Sequence, residues 1–221
     1  ASLEDLSVFD EVVLATGVKP RQLAIPGADH PSVLSYAEAI REPQRVGLKV
    51  AVIGSGGIGF DVAELLVNQA HTALDIEAWC DEWGVDLEIN QAGGLKSPQH
   101  PTSAREVVML QRKTSKPGKH LGKTTGWVHR ASLKQHGVTM LAGCEYLQID
   151  DQGLHIRHQD SVQVLCVDSI VVCAGQESVR DLLGPLEKAG IKVQIIGGAE
   201  EAAELDAKRA IEQGTQVAAA L

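Results

Sequence analysis

The glycine pattern Gly54-x-Gly56-x-x-Gly59 is the feature that most constrains how this chain folds. The apolar run that precedes it, Lys49-Val-Ala-Val-Ile, predicts a strand buried on both faces. Apolar residues at helical spacing follow it over residues 60–69. A strand, a glycine-rich turn and a helix in this order are typical of the dinucleotide-binding fingerprint. We therefore predict an α/β fold with a Rossmann-like dinucleotide-binding domain, built from a parallel sheet and an antiparallel β-meander.

Each glycine of this pattern has a separate physical role. The first permits a tight turn, the second lets the backbone approach a pyrophosphate, and the third lets the helix pack on the strand. Helix amides and the helix dipole then favour the anionic ligand. A purely structural turn is the alternative, because many turns use glycine. The residues predicted to bind a cofactor here are Gly54, Ser55, Gly56, Gly57, Ile58 and Gly59.

The end of the next predicted strand indicates which nicotinamide cofactor binds. An NAD site usually ends that strand with Asp or Glu, which binds the ribose 2′-hydroxyl. Here the strand over 106–113 ends in Gln111-Arg112-Lys113, and further cations follow at Lys116, Lys119 and Lys123. Cations fit a 2′-phosphate, and arginine binds it in bidentate geometry. The pattern favours NADPH over NADH, with Arg112 and Lys113 as ligands; a solvated basic loop is the alternative.

The interval between Gly59 and Arg112 is far longer than the ~20 residues usual in this fold. We attribute the difference to an insertion over about 70–105, which contains Trp79, Trp83 and a Pro/Ser/His-rich stretch. We predict little regular structure there beyond one helix near 75–83. Loops of this length usually carry function, cover a surface or are mobile.

Other segments follow from turn signals and periodicity. They are a strand within 9–17 buried on both faces, a helix over 35–41 capped by Ser35, a helix over 125–136, a strand over 138–141, three β-rich runs within 144–173 that look antiparallel, a strand over 191–196, and a last helix that follows Gly197-Gly198 and ends at Gln213. The strand ending in Thr16-Gly17 is echoed by the strand ending in Gly175. Two such strands bracket one nucleotide-binding unit, which indicates a domain inserted into another.

Bulk properties exclude several other classes of protein. The chain has 221 residues and a net charge of −9, which makes a nucleic-acid surface unfavourable. We expect no membrane span, because no apolar run is long enough, and we expect a cytoplasmic protein, because no leader peptide is evident. Cys166 and Cys173 sit in strand-like apolar runs and are expected to be buried free thiols. The cysteines and histidines are scattered, so no metal site is predicted.

Several motifs together resemble those of bacterial NADPH-dependent 2,4-dienoyl-CoA reductases. They are Gly54-Ser-Gly-Gly-Ile-Gly-Phe-Asp61, Glu82-Trp-Gly84, Gln91-Ala-Gly-Gly94, Met109-Leu-Gln-Arg-Lys-Thr-Ser-Lys-Pro-Gly118, Leu121-Gly-Lys-Thr-Thr-Gly-Trp127, Ile195-Ile-Gly-Gly198 and Glu204-Leu-Asp-Ala-Lys-Arg-Ala-Ile211. The likeness covers essentially the whole chain, and the shared insertion is its most specific part.

The resemblance implies a multidomain flavoprotein. Such enzymes have an amino-terminal TIM barrel with FMN and an iron–sulfur cluster, followed by an FAD domain into which an NADPH domain is inserted. Hydride passes from NADPH to FAD, and electrons then reach FMN through the cluster. On this basis residues 1–45 and 176–221 are the remnant of the FAD-binding domain, and residues 46–175 are the inserted NADPH-binding domain. The nicotinamide dinucleotide and the missing barrel and FAD half-domain are then the expected partners.

The resemblance also implies which residues face each cofactor. The glycine loop would hold the NADPH pyrophosphate, and Arg112 with Lys113 the 2′-phosphate. Thr16 and Gly17 match the end of an FAD-domain strand, and Gly175 ends the equivalent second strand. Gly197 and Gly198 match the place where backbone amides turn toward the flavin; simple helix-entry turns are the alternative for these two.

Departures from the family pattern limit what we expect of this chain alone. The barrel, the cysteine cluster and the glycine loop that would grip FAD have no counterpart in the sequence. We therefore expect a truncated piece that holds only a partial FAD site, does not reduce an enoyl substrate, and has no catalytic residue to assign. Two other readings stay open: a related NADH:flavin oxidoreductase or trimethylamine dehydrogenase-like protein, and a non-catalytic ADP-binding module.

Overall fold

A computed structural model describes residues 1–68, 74–100, 102–203 and 206–221. The strands in these residues are β1 (Glu11–Leu14), β2 (Val18–Pro20), β3 (Val33–Ser35), β4 (Lys49–Ile53), β5 (Glu106–Leu110), β6 (Thr139–Leu141), β7 (Glu145–Asp150), β8 (Gly153–His158), β9 (Ser161–Leu165), β10 (Ser169–Val172), β11 (Gln176–Ser178) and β12 (Lys192–Ile195). The helices are α1 (Leu3–Leu6), α2 (Tyr36–Arg41), α3 (Gly57–Val67), α4 (Ile76–Trp83), α5 (Gly126–Gln135), α6 (Leu183–Lys188) and α7 (Ala207–Ala220).

The chain divides into a central unit, residues 22–174, and an outer unit, residues 1–21 together with 175–221. The compact units therefore do not divide at residue 45, and which cofactor each segment holds stays a prediction. Residues 22–45 belong to the central unit because β3 pairs in parallel with β10, with Val33 opposite Ile170 and Ser35 opposite Val172. That pairing joins segments far apart in the sequence.

The central unit is built on a five-stranded sheet in the order β3-β10-β4-β5-β6. All four pairings are parallel. The register of β4 against β5 runs from Lys49 opposite Glu106 to Ile53 opposite Leu110. The two strands therefore end side by side, and the residues that follow them lie together at the carboxyl edge of the sheet. This register confirms that β5 is the parallel neighbour of β4 despite the long interval between them.

Both faces of this sheet are covered, as the apolar run in β4 predicts. Val50 and Val52 pack in a cluster with α3, whereas Ala51 and Ile53 pack in a second cluster on the opposite face. Alternate residues of a strand point to opposite faces, so one short strand contributes to both cores. The second cluster includes Ile149, Leu154 and Ile156 of the antiparallel strands β7, β8 and β9. The Rossmann-like fold with a β-meander is thus confirmed.

The meander accounts for most of the 144–173 stretch. β7 pairs with β8, and β8 with β9, in antiparallel fashion. The last strand of the stretch, β10, instead lies in the parallel sheet next to β4. The turn that follows β9 leaves Cys166 exposed, so the prediction that this thiol is buried is wrong, whereas Cys173 is buried as predicted.

Local signals place two helices of the central unit correctly. Ser35 caps α2 in a capping box: its hydroxyl accepts from the Glu38 amide at 3.2 Å, and the Glu38 carboxylate accepts from the Ser35 amide at 2.8 Å. Helix α3 begins at Gly57 and ends at Val67. The predicted end of that helix, Gln69, lies outside the described residues, as do residues 70–73 of the insertion.

The described part of the insertion contains the predicted helix. Helix α4 begins after Asp75, whose carboxylate accepts from the Ala78 amide at 3.0 Å. It ends at Trp83, and its C-cap Gly84 has φ +69°. The only other regular elements described here are a short turn at Ala92–Gly94 and a bridge between Val85 and Leu95.

The outer unit contains two small pairs of strands. β1 pairs in parallel with β12, and β2 pairs antiparallel with β11. Val12 and Leu14 are buried with Leu186 of α6, but Val13 between them is 38% exposed. The prediction that this strand is buried on both faces is therefore wrong, because its alternate side chain is not covered.

The last helix differs from its prediction at both ends. A short 3-10 turn occupies Gly197–Ala199, and α7 begins only after Asp206, whose carboxylate accepts from the Arg209 amide at 2.8 Å. Asp206 is thus a helix cap that the sequence prediction missed. The helix also passes through Gly214 to Ala220, because glycine weakens a helix without necessarily ending it. Glu204 and Leu205, within the predicted helix, lie outside the described residues.

Candidate dinucleotide-binding site

An open cavity of about 220 Å³ lies at the carboxyl edge of the central sheet, where β4 and β5 end. Its lining residues are Gly54, Ser55, Gly56, Gln111, Arg112, Lys113, Ser115, Lys116, Lys119, His120, Tyr146 and Ala174. The cavity thus joins the predicted glycine loop to the predicted cations. Gln111, His120, Tyr146 and Ala174 were not predicted, and Lys123 of the predicted basic run does not line it. The binding roles of the predicted residues stay a prediction.

Two glycines of the loop are required by close packing. A Cβ added at Gly59 would lie 2.0 Å from the carbonyl oxygen of Gly54. A Cβ added at Gly54 would lie 2.4 Å from the carbonyl oxygen of Cys173, and its φ of +116° is unfavourable for other residues. These two positions explain how the helix lies so close to the end of β4.

The middle glycines of the loop, Gly56 and Gly57, border open space. No atom of the described residues lies within 4 Å of a Cβ added at Gly56 or at Gly57. Gly56 also has an ordinary extended backbone, with φ −84° and ψ −171°. Nothing in the fold itself therefore demands glycine at these positions. Open space above the loop is what a close backbone approach to a pyrophosphate requires, which favours a binding role over a purely structural turn.

The start of α3 adds an electrostatic contribution. Gly56 is the N-cap of this 11-residue helix, and it has no side chain to accept from the first amides. The first amides of a helix lack intrahelical partners, and the helix dipole makes this end positive. Because Gly56 borders the cavity, these amides are available to an anion there.

Four cations border the same cavity: Arg112, Lys113, Lys116 and Lys119. Their side chains are exposed, and none forms an ion pair with any residue that the structure describes. In a chain of net charge −9, such an unpaired group of like charges creates a local positive potential. None of the residues described as lining the cavity is acidic. The arrangement suits a phosphate with two negative charges.

Gln111 connects the glycine loop to the basic loop, residues 112–119, which carries the four cations. Its side-chain carbonyl accepts a hydrogen bond from the Ser55 hydroxyl. Its amide nitrogen donates to the backbone carbonyl of Lys113 at 2.8 Å and to that of Ser115. The only sequence signal for this residue was its place at the strand end, where NAD sites have a carboxylate.

Further hydrogen bonds hold the basic loop at Gly118. The Gly118 amide donates to the Ser55 carbonyl at 3.2 Å, and the Arg130 guanidinium of α5 donates to the Gly118 carbonyl at 3.0 Å. A Cβ at Gly118 would lie 2.8 Å from the Phe60 ring of α3. The loop therefore packs directly on the helix that follows the glycine pattern.

Burial keeps the Cys173 thiol and the Tyr146 phenol neutral. Cys173 is 8% exposed, and desolvation raises its pKa to about 12. The pKa of Tyr146 is also raised, chiefly by burial and further by Cys144, while Arg112 acts in the opposite direction. A thiol with such a pKa is protonated at neutral pH and a poor nucleophile. A redox role for Cys173 is therefore not supported.

The other predicted residues lie in the outer unit. Gly197 and Gly198 line a separate cavity of about 370 Å³ within that unit, together with Ala15, Ile196, Asp206, Ala207 and Ala210. Thr16, Gly17 and Gly175 do not line it. Thr16 donates its hydroxyl to the Val179 carbonyl at 2.5 Å, while Gly17 and Gly175 have φ of +72° and +103°. These three residues lie in the turns around β2 and β11. They are therefore separate from the cavity at Gly197 and Gly198, with which they were grouped as predicted flavin-site residues.

Comparison with known proteins places the chain in a family. Residues 4–206 match the model of the pyridine nucleotide-disulphide oxidoreductases. The chain belongs to this family of oxidoreductase flavoproteins. It is 25% identical over 193 residues to a metal reductase of Desulforamulus reducens, covering 86% of this chain and 28% of that protein. It is 26% identical over 203 residues to a cinnamate reductase of Clostridium sporogenes, covering 91% and 25%. The chain thus spans about a quarter of the length of these relatives.

A solved structure supports the fold assignment. A 2-naphthoyl-CoA reductase in complex with 2-naphthoyl-CoA superposes with a TM-score of 0.71 at 19% identity, covering 97% of this chain and 27% of that one. At this identity the likeness establishes the fold. In the part of the chain that the structure describes, no helix is long and apolar enough to cross a membrane. The same residues contain no group of three or more His, Cys, Asp or Glu side chains that would hold a metal ion.

Proposed function

We propose that this chain is the NADPH-binding portion of a flavoprotein oxidoreductase and delivers hydride from NADPH to FAD. The observation that carries the proposal is the group of unpaired cations, led by Arg112 and Lys113, on the cavity of the glycine loop. An NAD site places a carboxylate at the strand end, whereas a 2′-phosphate is bound by arginine. Here Gln111 occupies that position, and arginine follows it directly.

The chain's own residues would bind and orient the dinucleotide. The amides of Gly56, Gly57 and Ile58 would donate to the pyrophosphate, and Arg112 would hold the 2′-phosphate in bidentate geometry with Lys113 beside it. Bound NADPH would supply the hydride. We assign no proton-transfer residue in this chain, because positioning is the role that the cavity supports.

We further propose that the outer unit is part of an FAD-binding domain. The cavity at Gly197 and Gly198 fits a flavin because small residues leave it open, and the Gly197 backbone has φ +61°. With the observed boundaries, the FAD part would be residues 1–21 and 175–221, and the NADPH part residues 22–174. Bound FAD would accept the hydride. The rest of the FAD site would come from chain beyond these residues.

The parent enzyme that fits best is a 2,4-dienoyl-CoA reductase of unsaturated fatty acid β-oxidation in the cytoplasm. Motif matches along the whole chain, including the insertion, support this proposal. The likenesses to a naphthoyl-CoA reductase and a cinnamate reductase agree with it, because one name denotes an aromatic acyl-CoA and the other an unsaturated carboxylate. The remaining chain would then carry FMN and an iron–sulfur cluster in a barrel.

A second candidate is a related nicotinamide:flavin oxidoreductase with a different terminal acceptor. The likeness to a metal reductase favours it, since that name denotes an inorganic acceptor. Both candidates use the same nucleotide site, so the acceptor would distinguish them. Supplying an enoyl-CoA or a metal salt to the complete enzyme, with NADPH oxidation as readout, would decide between them.

The nucleotide assignment is testable on this chain. Calorimetric titration with NADPH and NADH at two salt concentrations should give tighter NADPH binding, and salt should weaken that preference. Arg112→Ala should remove most of the preference, whereas Lys123→Ala, a cation that does not line the cavity, should leave it intact. Equal binding of the two nucleotides by the unmodified chain would refute NADPH specificity. Equal binding of NADPH and the adenosine fragment 2′,5′-ADP would favour a module that holds only the adenosine half.

A further inference from the structure

We infer that Gln111 is the positioning residue that selects NADPH over NADH, acting through the backbone of the basic loop rather than by touching the nucleotide. The inference rests on the proposed NADPH function and extends it to a residue that is neither a cation nor part of the glycine pattern.

Both polar atoms of the Gln111 side chain form hydrogen bonds. Its carbonyl accepts from the Ser55 hydroxyl on one side. On the other side its two N–H groups face the carbonyls of Lys113 and Ser115, the first at 2.8 Å. A primary amide has two donor hydrogens, so both are satisfied. The side chain therefore joins the two loops that line the cavity.

The anchor point of this side chain is itself rigid. The backbone amide of Gln111 donates to the Leu141 carbonyl at 3.0 Å, and the backbone carbonyl of Gln111 accepts from the Cys144 amide at 2.9 Å. The Lys113 carbonyl accepts a second hydrogen bond, from the Gly143 amide at 3.0 Å. The carbonyls of the basic loop are thus turned toward the protein, while the side chains of Arg112, Lys113 and Lys116 line the cavity.

A loop with this charge needs such a restraint. Four unpaired cations on one cavity repel one another, which favours an open loop when no phosphate is bound. Holding the loop in its binding conformation beforehand reduces the ordering cost of binding. Glutamine suits the task because it is neutral and offers donors to both carbonyls. Glutamate has the same shape but no hydrogen to donate, and it would repel a 2′-phosphate.

The test compares Gln111→Met and Gln111→Glu with the unmodified chain. The dissociation constants of NADPH and NADH are measured by calorimetry. Hydrogen exchange is measured without ligand at the amides of Gly118 and Gly143, which donate to the carbonyls of Ser55 and Lys113. Met keeps the length of the side chain and adds no charge, so it isolates positioning from repulsion. Gln163→Glu is the matched control, since Gln163 is exposed on β9 and does not line the cavity.

We expect Gln111→Met to lower the ratio of NADPH to NADH affinity roughly tenfold, because several hydrogen bonds are lost at once. Gln111→Glu should lower it further, and both should speed exchange of the Gly118 and Gly143 amides. Ser55→Ala removes only the hydrogen bond that the Gln111 side-chain carbonyl accepts, so it should lower the affinity ratio less. This variant also tests the inference if the Gln111 variants fail to fold. The control should keep the ratio unchanged.

The outcomes separate the two proposals. If the unmodified chain binds both nucleotides equally, the NADPH function fails. If it prefers NADPH but Gln111→Met and Ser55→Ala change neither that preference nor the exchange of the Gly118 and Gly143 amides, only the positioning role fails. A loss confined to Gln111→Glu would also overturn it, because charge alone would then explain the effect.

Discussion

Gly59, in the first turn of α3, lies so close to the carbonyl of Gly54 that a Cβ at position 59 would be 2.0 Å from its oxygen. Helix and strand can meet at this distance only because glycine has no side chain. Gly56 and Gly59, three positions apart in the sequence, thus have different roles: Gly59 supports packing, and Gly56 borders open space.

This contrast predicts different effects of the same substitution. Gly59→Ala should lower the free energy of unfolding by about 1–3 kcal/mol, as for overpacked sites, and weaken NADPH binding as a result. Gly56→Ala should leave stability nearly unchanged but weaken NADPH binding, because the new methyl group would occupy the space for the pyrophosphate. Denaturant unfolding and nucleotide titration of both variants check this. Equal destabilisation by the two substitutions would contradict it.

Arg105 should be a structural residue although it lies in the predicted insertion. Its guanidinium donates to the carbonyls of Gly47 at 3.1 Å, Pro43 at 3.1 Å and Leu66 at 3.2 Å. Arg105→Met should lower the free energy of unfolding by about 1–3 kcal/mol, because it leaves partly buried carbonyls unpaired. Urea denaturation measures the change. Arg41→Met, at an exposed site, is the control and should have little effect.

The capping box of α2 should make a small contribution to stability that depends on pH. Hydrogen bonds from the backbone and hydroxyl of Ser35 lower the pKa of Glu38 below its usual 4.5. Since the folded-state pKa is the lower one, the contribution is present above about pH 4.5 and is lost as pH falls through the folded-state value. Glu38→Gln should remove this dependence and cost roughly 0.3 kcal/mol at neutral pH, because solvent screens the exposed carboxylate.

Unfolding measured between pH 3 and pH 7 for this variant, with Glu187→Gln as an exposed control, tests the prediction. The stability curve of Glu38→Gln should converge with that of the unmodified chain at low pH. If the two curves stay parallel throughout, the folded state does not stabilise the ionised form of Glu38.

The cysteines should react at very different rates. Cys166 is exposed, whereas Cys80, Cys144 and Cys173 are buried. The pKa of Cys173 is raised to about 12 by burial, so its thiolate is scarce at pH 8. Iodoacetamide in slight excess should label Cys166 first, and peptide mass spectrometry would locate the label. Labelling of Cys173 in the folded protein at a similar rate would contradict the observed burial.

Local patterns were enough to predict much of this fold. The apolar run of β4, the glycine pattern and the helical spacing of α3 adjoin in the sequence, and each has one favoured structure. The Ser35 cap and the helix near residues 75–83 were predicted for the same reason. The cations after β5 were also evident, because the chemistry of a strand end depends on a few consecutive residues.

Contacts between distant segments were decided by the tertiary structure alone. The pairing of β3 with β10 moved residues 22–45 into the central unit, and no local signal indicates which strand pairs with which. The register of β4 and β5 set Gly54 beside Gln111, where Ser55 and the loop carbonyls satisfy its amide. Propensity and periodicity depend on neighbours within a few residues, whereas strand register and hydrogen-bond partners depend on how the whole core packs. The sequence alone therefore determined the presence of a nucleotide loop and a basic strand end, and the tertiary structure decided how they meet.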